Sequence, residues 1–95
     1  MEGYSFPINS DWSTEEIVIV VNFLSKVEEA YLEGIRLKDF QTAYLAFKQI
    51  VTSKSEEKQI DRNYTQESGY SIYQVVKVMK DLLSQKAHSS TVIKL

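Results

Sequence analysis

Asp11-Trp12-Ser13-Thr14-Glu15-Glu16-Ile17-Val18-Ile19-Val20-Val21-Asn22-Phe23-Leu24-Ser25-Lys26-Val27-Glu28-Glu29-Ala30-Tyr31-Leu32-Glu33-Gly34 holds a start signal, an apolar stripe and a stop signal in one run. Ser13 and Glu16 stand at the spacing of a capping box, in which each side chain takes the other residue's amide, with Trp12 and Ile17 as the apolar staple outside it. Glu15 and Glu16 also suit the positive end of a helix dipole. Ile17, Val20, Val21, Leu24, Val27, Tyr31 and Leu32 then recur at helical spacing. Gly34 can adopt the left-handed conformation that closes a helix.

One signal opposes this reading. Ile17 to Val21 is β-branched throughout, which taken alone is the composition of a strand. The cap, the continuing stripe and the terminal glycine decide for a helix over about 14–33. Val18 and Ile19 would then make its first half apolar nearly all round, which predicts burial on more than one side.

The rest of the chain is read outward from this helix. A second helix, about 38–51, carries Leu37, Phe40, Tyr44, Phe47, Ile50 and Val51 as its stripe. Arg36 and Leu37 offer no side-chain oxygen to cap its start. The short connection makes it an antiparallel neighbour of the first. Ser53 and Glu56 form another capping box and open a third helix, about 54–67, whose apolar content is only Ile60 and Tyr64. Gly69 can end it. Ser71 and Gln74, with Tyr70 and Val75 as staple, open a fourth helix over about 72–86. Its apolar face is Ile72, Val75, Val76, Met79, Leu82 and Leu83; Lys77, Lys80 and Asp81 lie opposite. Residues 1–12 read as an extended arm in which Tyr4, Phe6 and Ile8 alternate and Pro7 holds Phe6 extended. Residues 87–95, ending in Thr-Val-Ile-Lys-Leu, read as a loose, fraying tail, with packing on the body or pairing as an edge as the alternatives. The expected fold is all-α, a compact array of four short helices in a single domain spanning 1–95.

The motifs Phe6-Pro7-Ile8, Asp11 to Glu16, Phe47-Lys48-Gln49-Ile50-Val51, Ser53 to Lys58 and Ser68-Gly69-Tyr70-Ser71-Ile72-Tyr73 resemble the YktA-like family of small uncharacterised proteins from Gram-positive bacteria. The resemblance covers about residues 4–83. It implies a small helical fold and a cytoplasmic bacterial protein, and it brings no catalytic residue. Two positions depart from the pattern: Thr52 stands where proline is expected, and Leu37 where a capping residue is usual.

Composition narrows the function classes. The chain has 95 residues, no cysteine and a net charge of −2. That excludes disulfides and thiolate metal sites and gives no general attraction to nucleic acid or anionic lipid. The N-terminus lacks a signal-peptide pattern, and the block Ile17–Val21 is far shorter than the ~20 residues of a membrane span. The expectation is a soluble cytoplasmic protein without a membrane segment.

For chemistry the inventory is thin. His88 is the one histidine, set among serines without a second ligand or carboxylate partner. Three scattered glycines make no phosphate loop. The pairs Glu15-Glu16, Glu28-Glu29 and Glu56-Glu57 point about 100° apart on a helix and form no shared-proton dyad. Glu57 and Asp61, four apart, offer two oxygens to a metal but no third ligand. No catalytic residue, cofactor or metal is therefore assigned. On the third helix, Lys54, Lys58 and Arg62 make a basic ridge at successive four-residue steps, beside the acidic ridge of Glu57 and Asp61. This is a salt-bridged solvent face or a docking surface for an anionic partner. The leading expectation is a helical protein-interaction module without catalysis, meeting an unknown protein partner through the third helix or the arm. The alternative is an RNA- or ribosome-associated factor using the basic ridge. An enzyme would need a pocket lined by tyrosines and carboxylates, and self-association stays open.

Overall fold

The computed structural model describes residues 11–95, so the expected arm lies outside the described residues up to Ser10. Four helices make up most of the described chain: α1 (Thr14–Leu32), α2 (Leu37–Ile50), α3 (Lys54–Ser68) and α4 (Ile72–Ser84). The all-α expectation holds, and each helix falls within two residues of its predicted bounds. Two short strands, β1 (Ile35–Arg36) and β2 (Val92–Ile93), pair antiparallel, Ile35 opposite Ile93 and Arg36 opposite Val92, so the C-terminal segment takes the edge-pairing alternative and not the favoured fraying.

The capping box at α1 is complete. The Glu16 amide donates to Ser13 Oγ at 3.1 Å and the Ser13 amide to Glu16 Oε1 at 2.8 Å. At the other end the Gly34 amide reaches back to the Glu29 carbonyl at 2.7 Å, with φ at +93°. The chain then turns through β1 and lays α2 against α1.

The core forms where these two helices meet. Phe23 is fully buried, with ring centroids 4.4 Å from Phe47, 5.5 Å from Phe40 and 5.8 Å from Tyr44. The buried residues of α1 are Val20, Phe23, Leu24, Val27 and Ala30. At ~100° per residue, that arc is turned toward Phe23 and Ala30, by roughly 60°, from the predicted stripe. Burial of α1 on two sides is therefore corrected: Val18 is 61% exposed and Leu32 55%, because α2 and α4 cover one broad face and leave the opposite face to solvent. α3 contributes Ile60 and Tyr64, as expected, and the Tyr64 hydroxyl donates to the Leu24 carbonyl at 3.1 Å.

The loose tail is also corrected. Residues 87–95 fold back over the α1–α2 junction and bury Ile93 completely. Their backbone supplies what the sequence of α2 lacks. With no side-chain cap at Arg36, the Leu37 amide donates to the Thr91 carbonyl at 2.7 Å and the Lys38 amide to the Ser89 carbonyl at 3.1 Å. The Leu95 amide in turn donates to the Ala30 carbonyl near the end of α1. Helix ends leave amides and carbonyls without partners, and the tail satisfies some at both ends it touches. His88 belongs to the turn that starts this segment. Its Nδ1 accepts the Ser90 amide, and the Thr91 amide donates to its carbonyl.

Candidate functional site: a lysine-lined groove

With only Ile60 and Tyr64 to bury, α3 cannot cover the neighbouring polar face of α4. A groove of about 500 Å³ runs between them, closed on one side by Tyr44 and Lys48 of α2. A volume of this order matches that of known ligand clefts, roughly 300–1,000 Å³.

Of the three predicted site residues, Lys54 and Lys58 line the groove and Arg62 does not, although all three are exposed. The cause is geometric. Each four-residue step turns about 40° around the helix axis, so Arg62 stands roughly 80° away from Lys54. The second row of cations was missed as a site: Lys77 and Lys80 of α4 line the same groove. The signal was present in the i, i+3 spacing of these lysines and in the apolar poverty of α3, which predicts a facing helix left partly uncovered.

The carboxylates have other work. Glu57 accepts from Lys48 Nζ at 2.6 Å and from the Tyr44 hydroxyl at 3.4 Å, tying α3 to α2. Burial first, and then the neighbouring Glu57 carboxylate, raises the Tyr44 phenol above its ordinary value, so it stays a donor at neutral pH. Asp61 turns toward the start of α4. It accepts the Ile72 amide on Oδ1 at 2.8 Å and the Tyr73 amide on Oδ2 at 3.3 Å. Ser71 Oγ accepts the Gln74 amide, which is half of the predicted box. The Ser71 amide goes to the Tyr31 hydroxyl at 3.2 Å instead of to Gln74. The acidic ridge of the sequence reading is thus not a solvent face. It braces α3 against both neighbours.

Among the described residues, Lys54, Lys58, Lys77 and Lys80 enter no ion pair. Asp81 is the remaining groove carboxylate, exposed at the α4 end. Ile72 and Val76 give the groove a buried apolar floor, and Tyr73 stands at its side, 61% exposed. Ammonium groups are strongly hydrated point charges with three rotatable donors each, so this arrangement attracts and holds anions without fixing one geometry. Among the described residues, no group of three His, Cys, Asp or Glu side chains is placed to hold a metal ion. Nor, among the described residues, is any helix long and apolar enough to cross a membrane.

Fold and groove together define a small helical protein with a basic concavity on an acidic chain. The chain belongs to the uncharacterised protein family UPF0223, whose family model matches residues 3–88. It is 49% identical over 81 residues to a UPF0223 protein of Streptococcus equi subsp. zooepidemicus, covering 85% of this chain and 88% of that one. It is 46% identical over 83 residues to UPF0223 proteins of Listeria monocytogenes and Listeria innocua, covering 87% of this chain and 92% of each of those. The resemblance to a family from Gram-positive bacteria therefore holds, across nearly the whole chain.

Proposed function

We propose that this chain is a small cytoplasmic interaction module that docks another protein in the groove between α3 and α4 and performs no catalytic step itself. The observation that carries the reading is the set of four ammonium groups without ion-pair partners, gathered in one concavity beside an exposed aromatic ring. Like charges brought together cost free energy, and an occupant that supplies the opposite charge relieves that cost. Tyr73 adds a large amphipathic contact surface of the kind enriched at protein interfaces.

The same lysines could hold an RNA backbone, which is the second reading. RNA would then bind with a steep dependence on salt. The charge outside the groove weighs against it. Of the 11 basic and 13 acidic residues in the sequence, five basic and three acidic ones line the groove, which leaves six against ten outside it, so a strand running past the groove meets a net negative surface.

The test is a photo-crosslinking amino acid placed at Tyr73 in living cells, with Val18 on the far face as control. A discrete protein adduct at position 73, absent at position 18, is the expected result. Adducts at neither position, or the same adducts at both, would remove the docking reading.

A further inference from the structure

Resting on that reading, we infer that the occupant of the groove is a short acidic protein segment carrying an apolar anchor. Its carboxylates meet the two lysine rows, and its apolar side chain lies on the floor between them. The rows face each other from different helices: Lys54 and Lys58 on α3, Lys77 and Lys80 on α4. An occupant must therefore present negative charge to both walls at once, which a single small anion at one wall does not do.

Ile72 and Val76 set the second requirement. They are 1% and 6% exposed, so the floor offers little accessible apolar area, enough for one apolar group rather than a row of them. Most of the apolar contact falls to the 61% exposed Tyr73 ring. Tyr73 stands exposed alongside and can close over that group. The third requirement is length. Outside the groove the chain is net acidic, so the attraction ends where the groove ends, and a long polyanion gains repulsion for every unit beyond it. Charge complementarity of this kind mainly sets partner choice and association rate, while the buried anchor sets residence time.

Both walls keep their shape without the occupant. Glu57 is fixed by Lys48 and Tyr44, and Asp61 by the amides of Ile72 and Tyr73. The free lysines can therefore be changed with the frame left in place, which makes the inference testable on the intact chain.

The experiment measures fluorescence anisotropy of labelled probes with the purified full-length protein. The probes are a short glutamate-rich peptide with one central leucine, the same peptide with that leucine replaced by serine, its lysine-rich counterpart, and a single-stranded oligonucleotide of similar length. The leucine-bearing acidic peptide should bind best. The serine version should be several-fold weaker, and the lysine-rich peptide should not bind. Lys58→Glu with Lys77→Glu should weaken the best probe about tenfold or more, with the thermal transition unchanged. Lys58→Gln with Lys77→Gln gives an intermediate loss and covers the case in which charge reversal disturbs folding. Tighter binding of the oligonucleotide, or binding indifferent to both pairs of substitutions, would overturn the acidic-segment inference. The two readings fail separately. A Tyr73-site adduct in cells that survives lysine reversal keeps the docking module and removes the acidic occupant; loss of every adduct and every binding signal removes both.

Discussion

The backbone amide of Leu37 donates to the carbonyl oxygen of Thr91 at 2.7 Å, so the C-terminal segment caps the first turn of α2. Two features that look like defects in the sequence, a helix without a capping side chain and a tail without a helix, complete each other. Ile93 anchors the pairing, being fully buried beside β1. Ile93→Ala should lower the free energy of unfolding by about 2–5 kcal/mol, the range for a buried isoleucine cut to alanine. Thr91→Ala should be almost silent, because the bond uses its carbonyl and not its hydroxyl. Urea titration of both variants checks the pair, and a large loss for Thr91→Ala with none for Ile93→Ala would reverse the argument.

Gly34 and Gly69 both end helices at positive φ, +93° and +83°, yet they should respond differently to alanine. A Cβ at Gly69 meets open space, so Gly69→Ala bears only backbone strain, about 1 kcal/mol. A Cβ at Gly34 would stand 2.7 Å from Val92 Cγ1, so Gly34→Ala bears the same strain plus a clash with the tail. Val92 is 56% exposed, so its own truncation is cheap. The double variant Gly34→Ala, Val92→Ala should therefore recover toward the cost of Gly69→Ala. A double-mutant cycle by chemical denaturation measures that coupling, and strict additivity would show that the clash is absorbed elsewhere.

Phe23→Ala should cost about 3–5 kcal/mol, since it removes the ring on which Phe40, Tyr44 and Phe47 converge. Val18→Ala, on the exposed face of the same helix, should change stability by no more than about 0.5 kcal/mol. This contrast shows where the sequence was legible. Caps, glycines and periodicity reported helix ends and existence well, because those signals are local: Ser13 with Glu16, Ser53, and Gly69. Which arc of α1 is buried depends on the direction from which α2 arrives, and no residue within α1 encodes that. A block of five β-branched residues is apolar in every direction, so it conceals the choice. The tail was illegible for the same reason, since the groups of α1, β1 and α2 that it pairs with lie more than 50 residues earlier in the chain.

Half of the groove was legible too. Lys54 and Lys58 stood out by spacing on their own helix, while Lys77 and Lys80 acquire meaning only once α3 is seen to leave α4 uncovered. The braces were the harder part. Nothing in the spacing of Asp61 announces that its carboxylate accepts two amides of the next helix, at 2.8 and 3.3 Å. Asp61→Ala should destabilise by about 1–2 kcal/mol through loss of a charged helix cap, and Asp61→Asn by less. Asp61 holds the start of α4, and with it Tyr73, but also places a negative charge in the groove lining. The alanine variant should therefore bind an acidic occupant less well than Asp61→Asn, which loses the same charge and keeps one acceptor for the amides, under conditions where both remain fully folded. Calorimetry and the anisotropy assay report the two effects independently; intact stability, with equal binding by the two variants, would show that Ser71 suffices as the cap.

Tyr44 ties the groove wall to alkaline stability. Its phenol is raised above the ordinary value by burial and then by Glu57, whose carboxylate accepts from its hydroxyl at 3.4 Å. A group whose folded pKa lies above its unfolded value gives its full stabilisation below the unfolded value, about 10 for tyrosine. That contribution is lost as pH climbs through the folded value. The melting temperature should therefore fall as pH rises beyond about 10, and Tyr44→Phe should flatten that fall, since phenylalanine has no proton to lose. Glu57→Gln should act in two ways. It removes the charge that helps to raise the phenol, moving the onset of ionisation to lower pH than in the unaltered protein. It also removes the ion pair with Lys48 at neutral pH, a loss of about 1 kcal/mol for a partly exposed pair. Ultraviolet titration of the tyrosines in the three proteins, beside melting curves at each pH, follows both effects. Identical alkaline profiles for the unaltered protein and Tyr44→Phe would place the alkaline transition on another group.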